Sequence, residues 1–410
     1  YERLRWRRRR DRDDAREILA EVPFDLGRPE LWWKERAAVT RQALVKGDVS
    51  VAYQLASSHK QVQGASCAEA EWLSGWIALR FLHNGEAAIN HFTRLYGNVR
   101  YPVSRSRAAY WAARAAQSLG RNELAQGWYA KAAEFLTTFH GQLAATQIGG
   151  ETTPSLPPDP LATAEERNQF NDRDLVRLVR LLGGIGEYKQ IKPFAIHPHD
   201  LRPTPGQPPL VADPAPYNGR PDVGVEHARQ ATREGVNLVS RGYPIPAQFD
   251  KDHPETPLLL ALMRQESSFD SFAQSHAGAR GLMQIMPATA KNVARRLNVP
   301  YSKTRLMTDP GYNMMLGRAY ISGLLNQYGD SYVLALAAYN AGPNRVKRWL
   351  RNNGDPRTPQ VDTLDWIESI PFYETRTYIQ RVLGNLQVYR MRLNSPQMAW
   401  SLKNDLHYQN

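Results

Sequence analysis

The chain has 410 residues, of which 42% are hydrophobic and 22% charged, and it carries a formal net charge of +12. These values are typical of a globular protein with more than one hydrophobic core, and the positive charge favours an acidic or polyanionic partner. Cys67 is the only cysteine, which excludes an internal disulfide and a cysteine-based metal cluster, and the absence of an apolar run of about 18 residues excludes a predicted spanning helix.

The N-terminal segment RLRWRRRRDRDD interleaves arginines with acidic residues. Its simplest interpretation is a solvated helix face, and the functional alternative is attraction to an acidic polymer. Nucleic acid is a competing polyanion, but the sequence contains no nucleic-acid-binding motif, so we expect no nucleic-acid partner. An initiator methionine and a signal peptide are both missing, and we therefore expect a mature or trimmed chain.

Residues 1–186 predict a series of helices. Apolar and small residues recur at spacings of three and four through AEWLSGWIALRFL, AAINHFTRLY and RAAYWAARAAQSL. Trp76 and Trp111 are 35 residues apart, and so are the turn glycines Gly85 and Gly120. A period of this length predicts helix–turn–helix units stacked as a solenoid, similar to tetratricopeptide repeats, with a helical bundle of coincidental spacing as the alternative.

The sequence of residues 187–250 predicts a break in the series of helices. The stretch KPFAIHPHDLRPTPGQPPLVADPAPYNGRPD is rich in proline and indicates a linker or an irregular arm, after which a helical segment resumes. His197 and His199 are of a metal-binding residue type, but no matching ligands lie nearby in the sequence, so we expect no metal there. The predicted domains are a helical domain, a linker and a C-terminal domain, at residues 1–186, 187–250 and 251–410.

The stretch PLLLALMRQESSF predicts a helix that enters a core. Leu259, Leu262 and Met263 form an apolar stripe, and Glu266 continues it because residues three and four apart share a helix face. A carboxyl group in such surroundings has a raised pKa, since burial penalises the charged form. Glu266 is therefore a candidate general acid that stays protonated near neutral pH.

Three later blocks place polar residues at turns and helix breaks: FAQSHAGARGLMQIMPATA, ALAAYNAGPNRVKRWL and WIESIPFYETRTYIQRVL. Together with RQESSFDS, they closely resemble the catalytic domain of soluble lytic murein transglycosylases over about residues 245–395. The helical front half resembles that family's superhelical domain more loosely. The proline-rich arm at residues 192–222 does not align with the family, which leaves the course of the linker open.

The resemblance implies an all-α fold, in which a helical superhelix precedes a catalytic domain similar to goose-type lysozyme. It implies a peptidoglycan lyase, by class an exotransglycosylase, that cleaves the β-1,4 bond between N-acetylmuramic acid and N-acetylglucosamine and leaves a 1,6-anhydro end. Glu266 matches the family's catalytic glutamate, acting as acid and then as base. The family's substrate-binding positions match Ser275, Gln284, Met286, Tyr339, Asn340 and Glu374.

Structural roles are the alternatives for several of these residues. Gln284 could cap a turn, Tyr339 and Asn340 could end a helix, and Glu374 could pair with a nearby arginine. Glu368 fits a structural role better than a catalytic one.

Two other functions stay open. One is a muramidase that cleaves the same bond with water, and the other is a helical scaffold that only binds the wall. The expected partners are peptidoglycan strands and, through the helical domain, cell-wall proteins, in the periplasm and without a cofactor or metal. The residues do not decide between cleavage at chain ends and within strands.

Overall fold

The computed structural model describes residues 28–149, 154–196, 210, 220–246, 249, 256–393 and 400–406. These residues form 21 α-helices with isolated β-bridges and no strand, so the predicted all-α fold class is confirmed. The basic N-terminal segment, His197 and His199 lie outside the described residues. No helix in the described part of the chain combines the length and the apolar character that crossing a membrane would require.

The chain divides into two compact units, Tyr1–Thr152 and Thr153–Asn410. Residues 154–186 therefore group with the second unit. One reason is that Asp159 accepts a hydrogen bond from the backbone N–H of Ser240 and lies 3.0 Å from Nη1 of Arg241. The division at residues 186 and 250 stays a prediction.

Seven helices make up the described part of the first unit, and each packs against its neighbours in the chain. They are α1 (Pro29–Lys46), α2 (Val49–Ser57), α3 (Gly64–Arg80), α4 (Gly85–Asn98), α5 (Pro102–Ser118), α6 (Asn122–Ala133) and α7 (Phe139–Gly149). Contact between successive helices is what a stack of helix–turn–helix units requires.

Aromatic side chains fill the core of the first unit. Trp72 stacks on Trp76 at 5.7 Å and meets Trp111 edge-on at 6.0 Å, and all three indoles are buried. Gly75 leaves room for Phe92, because a Cβ at Gly75 would lie 2.7 Å from that ring. The predicted repeat tryptophans are thus the centre of a shared core.

The second unit begins with five helices that precede the apolar stripe of Glu266. They are α8 (Ala164–Asn171), α9 (Asp174–Gly184), α10 (Tyr188–Ile196), α11 (Pro221–Arg233) and α12 (Val239–Gly242). Most of the described residues of the proline-rich stretch are therefore helical.

Nine further helices complete the second unit. They are α13 (Thr256–Glu266), α14 (Pro287–Arg296), α15 (Arg305–Thr308), α16 (Pro310–Gln327), α17 (Tyr332–Ala341), α18 (Pro343–Asn353), α19 (Thr363–Ser369), α20 (Tyr373–Leu393) and α21 (Leu402–Leu406). The long helix α20 is central, since both α13 and α17 pack against it. This arrangement gathers the three sequence blocks around the end of α13.

Candidate active site

Glu266 is the last residue of α13 and is half-buried. The hydroxyl of Tyr378 donates a hydrogen bond of 2.6 Å to its Oε1. Burial raises the pKa of Glu266 to about 7; the hydrogen bond from Tyr378 opposes this rise, and the nearby charge of Glu374 adds to it. The carboxyl can therefore both give and take a proton near neutral pH.

Two tyrosines lie beside Glu266. Burial, and then the charge of Glu266, raise the pKa of Tyr378 on α20 and of Tyr339 on the last turn of α17. The hydroxyl of Tyr339 donates to the carbonyl of Met283 at 2.7 Å. Both phenols thus stay protonated at neutral pH and provide fixed hydrogen-bond donors.

The loop of residues 273–286 carries three of the predicted substrate-binding residues. Nε2 of Gln284 donates to two backbone carbonyls of this loop, at 2.9 and 3.0 Å. Oγ of Ser275 accepts from the backbone N–H four residues later, at 3.0 Å. Gln284 and Ser275 therefore stabilise the loop, and Gln284 caps a turn within it. Met286 is 41% exposed and offers an apolar contact to a ligand.

Asn313, on α16, supports this loop and was missed by the sequence reasoning. Its Oδ1 accepts from the backbone N–H of Met283 at 2.9 Å, and its Nδ2 donates to the carbonyls of Arg280 and Leu306, each at 2.9 Å. Gly281 lies against it with φ of 73°, and a Cβ there would be 2.4 Å from Nδ2 of Asn313. Only glycine fits this close approach.

Asn340 and Glu374 come together although 34 residues separate them. Nδ2 of Asn340 lies 3.5 Å from Oε1 of Glu374, and its Oδ1 accepts from the hydroxyl of Thr375 at 2.7 Å. Helix α17 ends at Ala341, directly after Asn340, and Gly342 with φ of 90° follows as its C-cap, so both the helix-end role and the contact with Glu374 are present. Glu374 itself is exposed.

Two other carboxylates close to these motifs are engaged by basic or amide side chains away from Glu266. Asp270 is buried and accepts a hydrogen bond from Nζ of Lys192 at 2.6 Å. Glu368 is buried too, accepts from Gln380 at 2.8 Å, and lies 3.8 Å from Nε of Arg376. Arg376, one of the arginines near Glu374 in the sequence, thus lies beside Glu368. These contacts give Glu368 a structural role.

A basic surface adjoins the site. The exposed face of α18, which follows the Tyr339–Asn340 pair after a two-residue break, carries four cations and the helix sequence contains no acid. These cations are Arg345, Lys347, Arg348 and Arg351. The guanidinium of Arg345 lies 4.7 Å from the ring centroid of Phe372, next to the start of α20.

Of the residues proposed from sequence, the fold places Tyr339 beside Glu266 and Asn340 beside Glu374, whereas Ser275 and Gln284 are engaged within their loop. Tyr378 was missed because it looks like a core aromatic. Its position four residues after Glu374, on the same helix face, was the available signal. In the described part of the chain no group of three or more His, Cys, Asp or Glu is placed to hold a metal.

Comparison with known families gives a match between residues 244–361 and the Transglycosylase SLT domain. Residues 244–361 are therefore similar to this domain family, over less than half of the chain. The resemblance to soluble lytic murein transglycosylases is thereby confirmed for this segment. The Soluble lytic transglycosylase helical domain matches residues 369–397, which contain α20 of the second unit and lie outside the first unit.

Relatives of the SLT domain include the soluble lytic murein transglycosylase of Escherichia coli K12, 40% identical over 132 residues. The alignment covers 32% of this chain and 20% of that relative. A putative soluble lytic murein transglycosylase of Haemophilus influenzae is 41% identical over 33% of this chain and 22% of its own length. The chain thus spans about a fifth of the curated relatives it matches.

Solved structures cover more of the chain than the SLT domain alone. A lytic transglycosylase of Pseudomonas aeruginosa matches with a TM-score of 0.71 and 25% identity over 95% of this chain and 62% of that one. The 70-kDa soluble lytic transglycosylase of E. coli has a TM-score of 0.60 and 21% identity over 92% of this chain and 67% of that one. The fold of the helical front half is therefore shared as well.

Proposed function

We propose that this protein is a peptidoglycan lytic transglycosylase with Glu266 as its single acid and base. The observation that carries the proposal is the half-buried carboxyl at the end of α13, with a pKa raised to about 7 and a hydrogen bond from Tyr378. A glycosidic oxygen leaves readily only when it is protonated, and an ordinary glutamate would be ionised at neutral pH.

In the first step, protonated Glu266 gives its proton to the glycosidic oxygen of a β-1,4 bond after N-acetylmuramic acid. The bond from C1 to that oxygen breaks, and its electron pair leaves with the oxygen. The 2-acetamido group of the muramyl residue stabilises the cationic C1. We assign to Asn340, whose amide contacts Glu374 and Thr375, the role of orienting that group by a hydrogen bond.

In the second step, the Glu266 carboxylate accepts the proton of the muramyl 6-hydroxyl while O6 bonds to C1. This closes the 1,6-anhydro ring, consumes no water and returns Glu266 to its protonated form. A pKa near 7 suits both steps, because the same group must be a competent acid and then a competent base. Tyr378 holds the carboxyl, and Tyr339 holds the backbone carbonyl of Met283.

A hydrolytic mechanism would add a second carboxylate as nucleophile or as base for water. Asp270 is unsuited to that role because it is buried and ion-paired with Lys192. Glu374 is exposed and its charge reaches Glu266, so it is the carboxylate to examine if hydrolysis is found. We therefore favour a lyase mechanism with a single catalytic carboxyl group.

The charge around the site is compatible with an acidic polymer as the substrate. Peptide stems give the murein polymer free carboxylates, and the four cations on the exposed face of α18 provide a complementary surface. Since residues 244–361 also resemble murein transglycosylases, we propose murein strands as the substrate and the periplasm as the compartment. Protein partners would dock on the helical first unit, since helical stacks commonly present binding surfaces.

The test is mass spectrometry of muropeptides released from purified sacculi by the parent chain and by Glu266→Gln. Anhydro-muropeptides from the parent and at least a 10³-fold slower release by the variant are expected, since a positioned general acid contributes about 10²–10⁴-fold and here serves two steps. Glu234→Gln removes an exposed carboxylate and serves as the matched control.

Products heavier by one water, with reducing muramyl ends, would identify a muramidase and overturn the lyase proposal. Release of nothing by the parent chain, with retained binding to sacculi, would leave a wall-binding scaffold. Equal activity of Glu266→Gln and the parent would remove Glu266 from the mechanism.

A further inference from the structure

The loop directly after Glu266, residues 267–272, has an unfavourable backbone. Ser268 and Phe269 have φ of 56° and 71°, a region that residues with a Cβ seldom occupy. Such conformations persist only when surrounding groups hold them in place. Because Glu266 is the last helical residue, the course of this loop helps to set the position of its carboxyl.

Arg229, on α11, reaches this loop from outside the SLT match. Its Nη1 donates to the hydroxyl of Ser268 at 2.7 Å, and its Nη2 donates to the backbone carbonyl of Arg264 at 3.0 Å. The second bond satisfies a carbonyl in the last turn of α13, which has no partner within its own helix. One guanidinium therefore joins the end of the helix to the strained loop.

Asp270 anchors the other end of the loop. Its Oδ1 accepts from the backbone N–H of Phe272 at 3.0 Å, and its Oδ2 accepts from Nζ of Lys192, on α10, at 2.6 Å. Arg220 lies 3.6 Å from Asp270 and donates two hydrogen bonds, of 2.7 and 2.6 Å, to Asp222. The buried Asp222 and Asp270 thus share two cations from α10 and the start of α11.

We propose that α10 and α11 position the catalytic acid, with Arg229 and Lys192 as positioning residues that hold loop 267–272. These two residues and Arg220 all precede residue 244, where the SLT match begins. The inference rests on the proposed function for its kinetic readout. It extends that function by making α10 and α11, which precede the SLT match, part of the catalytic unit.

The expected kinetic signature is a loss of turnover with little change in substrate affinity. Misplacement of a reacting group by about 1 Å costs on the order of 10²-fold in rate, whereas the proposed sugar contact of Asn340 on α17 does not involve loop 267–272. Arg229→Ala should therefore lower kcat by about 10- to 100-fold and change KM by less than about threefold. Arg229→Lys should recover part of kcat, because an ammonium can keep one of the two bonds.

Arg233→Ala is the matched control, since Arg233 is exposed on the same helix and the variant makes the same change of charge. Its kcat should equal that of the parent. If Arg229→Ala and Arg233→Ala have the same kcat, or if Arg229→Ala changes KM alone, the positioning proposal is overturned. Should Arg229→Ala fail to fold, Ser268→Ala removes one of the same bonds, and it should lower kcat by a smaller factor.

Hydrogen–deuterium exchange provides a readout that does not depend on activity. Amides of residues 267–272 should exchange at least about tenfold faster in Arg229→Ala than in Arg233→Ala, because the loop loses its tie to α11. If the parent proves inactive while this difference holds, the proposed function is wrong, but the role of Arg229 in holding loop 267–272 is supported. Unchanged exchange would show that Arg229 does not hold the loop.

Discussion

The half-buried Glu266 and the buried Glu71 show opposite pKa shifts. In the second unit, burial raises the pKa of Glu266 to about 7, against the hydrogen bond of one neutral phenol. In the first unit, burial acts on Glu71 in the same direction, but hydrogen bonds from His59, His91 and Arg94 outweigh it and hold its pKa well below the usual range. The partners, and not the burial, decide whether a glutamate becomes a proton donor or a fixed anion.

The environment of Glu71 is built for a permanent charge. Nδ1 of His91 lies 2.6 Å from its Oε2, Nε2 of His59 lies 3.4 Å from its Oε1, and Arg94 donates to both oxygens at 3.1 and 3.2 Å. Helices α3 and α4 are joined through these contacts. Glu71 is a structural ion-pair centre, whereas Glu266 has no cation among the causes of its pKa shift.

The largest effect on stability is expected for Glu71→Ala. Removing the carboxylate leaves His59, His91 and Arg94 without their common hydrogen-bond acceptor, which costs roughly 3 kcal/mol at about 1 kcal/mol for each lost partner. Urea denaturation followed by tryptophan fluorescence would measure it, because the core of the first unit is rich in tryptophan. Glu123→Ala, which removes an exposed carboxylate of the first unit, should cost much less, and equal costs would contradict the ion-pair role.

Glu266→Gln should instead stabilise the chain, and by an amount that depends on pH. The pKa of Glu266 in the folded chain, about 7, exceeds the ordinary value. Its ionisation therefore lowers the free energy of unfolding as pH rises between about 4.5 and 7. Gln cannot ionise, so the gain should be near zero below pH 4.5 and reach at most about 3 kcal/mol above pH 7. Thermal unfolding across this range measures it, and a gain that is constant with pH would refute the raised pKa.

Tyr378→Phe should shift the pH profile of activity to higher pH. The phenol donates to the ionised carboxylate and so lowers the pKa of Glu266, and its loss removes that effect. The alkaline limb of kcat should move upward by less than about one pH unit, with kcat itself reduced because the carboxyl is less well held. A downward shift would show that Tyr378 accepts, and does not donate, in this pair.

Glu374→Gln should shift the same limb in the opposite direction, and by the smallest amount. The charge of Glu374 raises the pKa of Glu266, so its removal favours ionisation at lower pH. The measurement is the same kcat profile, compared at low and high salt, because an exposed charge is screened. Parallel shifts in Glu374→Gln and Tyr378→Phe would contradict the assigned signs.

Local sequence patterns predicted much of this molecule. The three-and-four spacing located the helices, and the apolar stripe through Leu262 and Met263 located Glu266. What was missed depends on contacts between distant positions. Asn313 meets Met283 30 residues away, and Lys192 meets Asp270 78 residues away. No periodicity within one helix encodes such pairs, and a single sequence gives only the residue types.

The lone Cys67 acquires a practical meaning from its location. It is buried in the first unit, where burial and then the charge of Glu71 raise the pKa of its thiol. Because alkylating reagents react with an exposed thiolate, this cysteine should be labelled only when α3 opens. The labelling rate therefore counts openings of the first unit, in the same molecule whose turnover reports on the second.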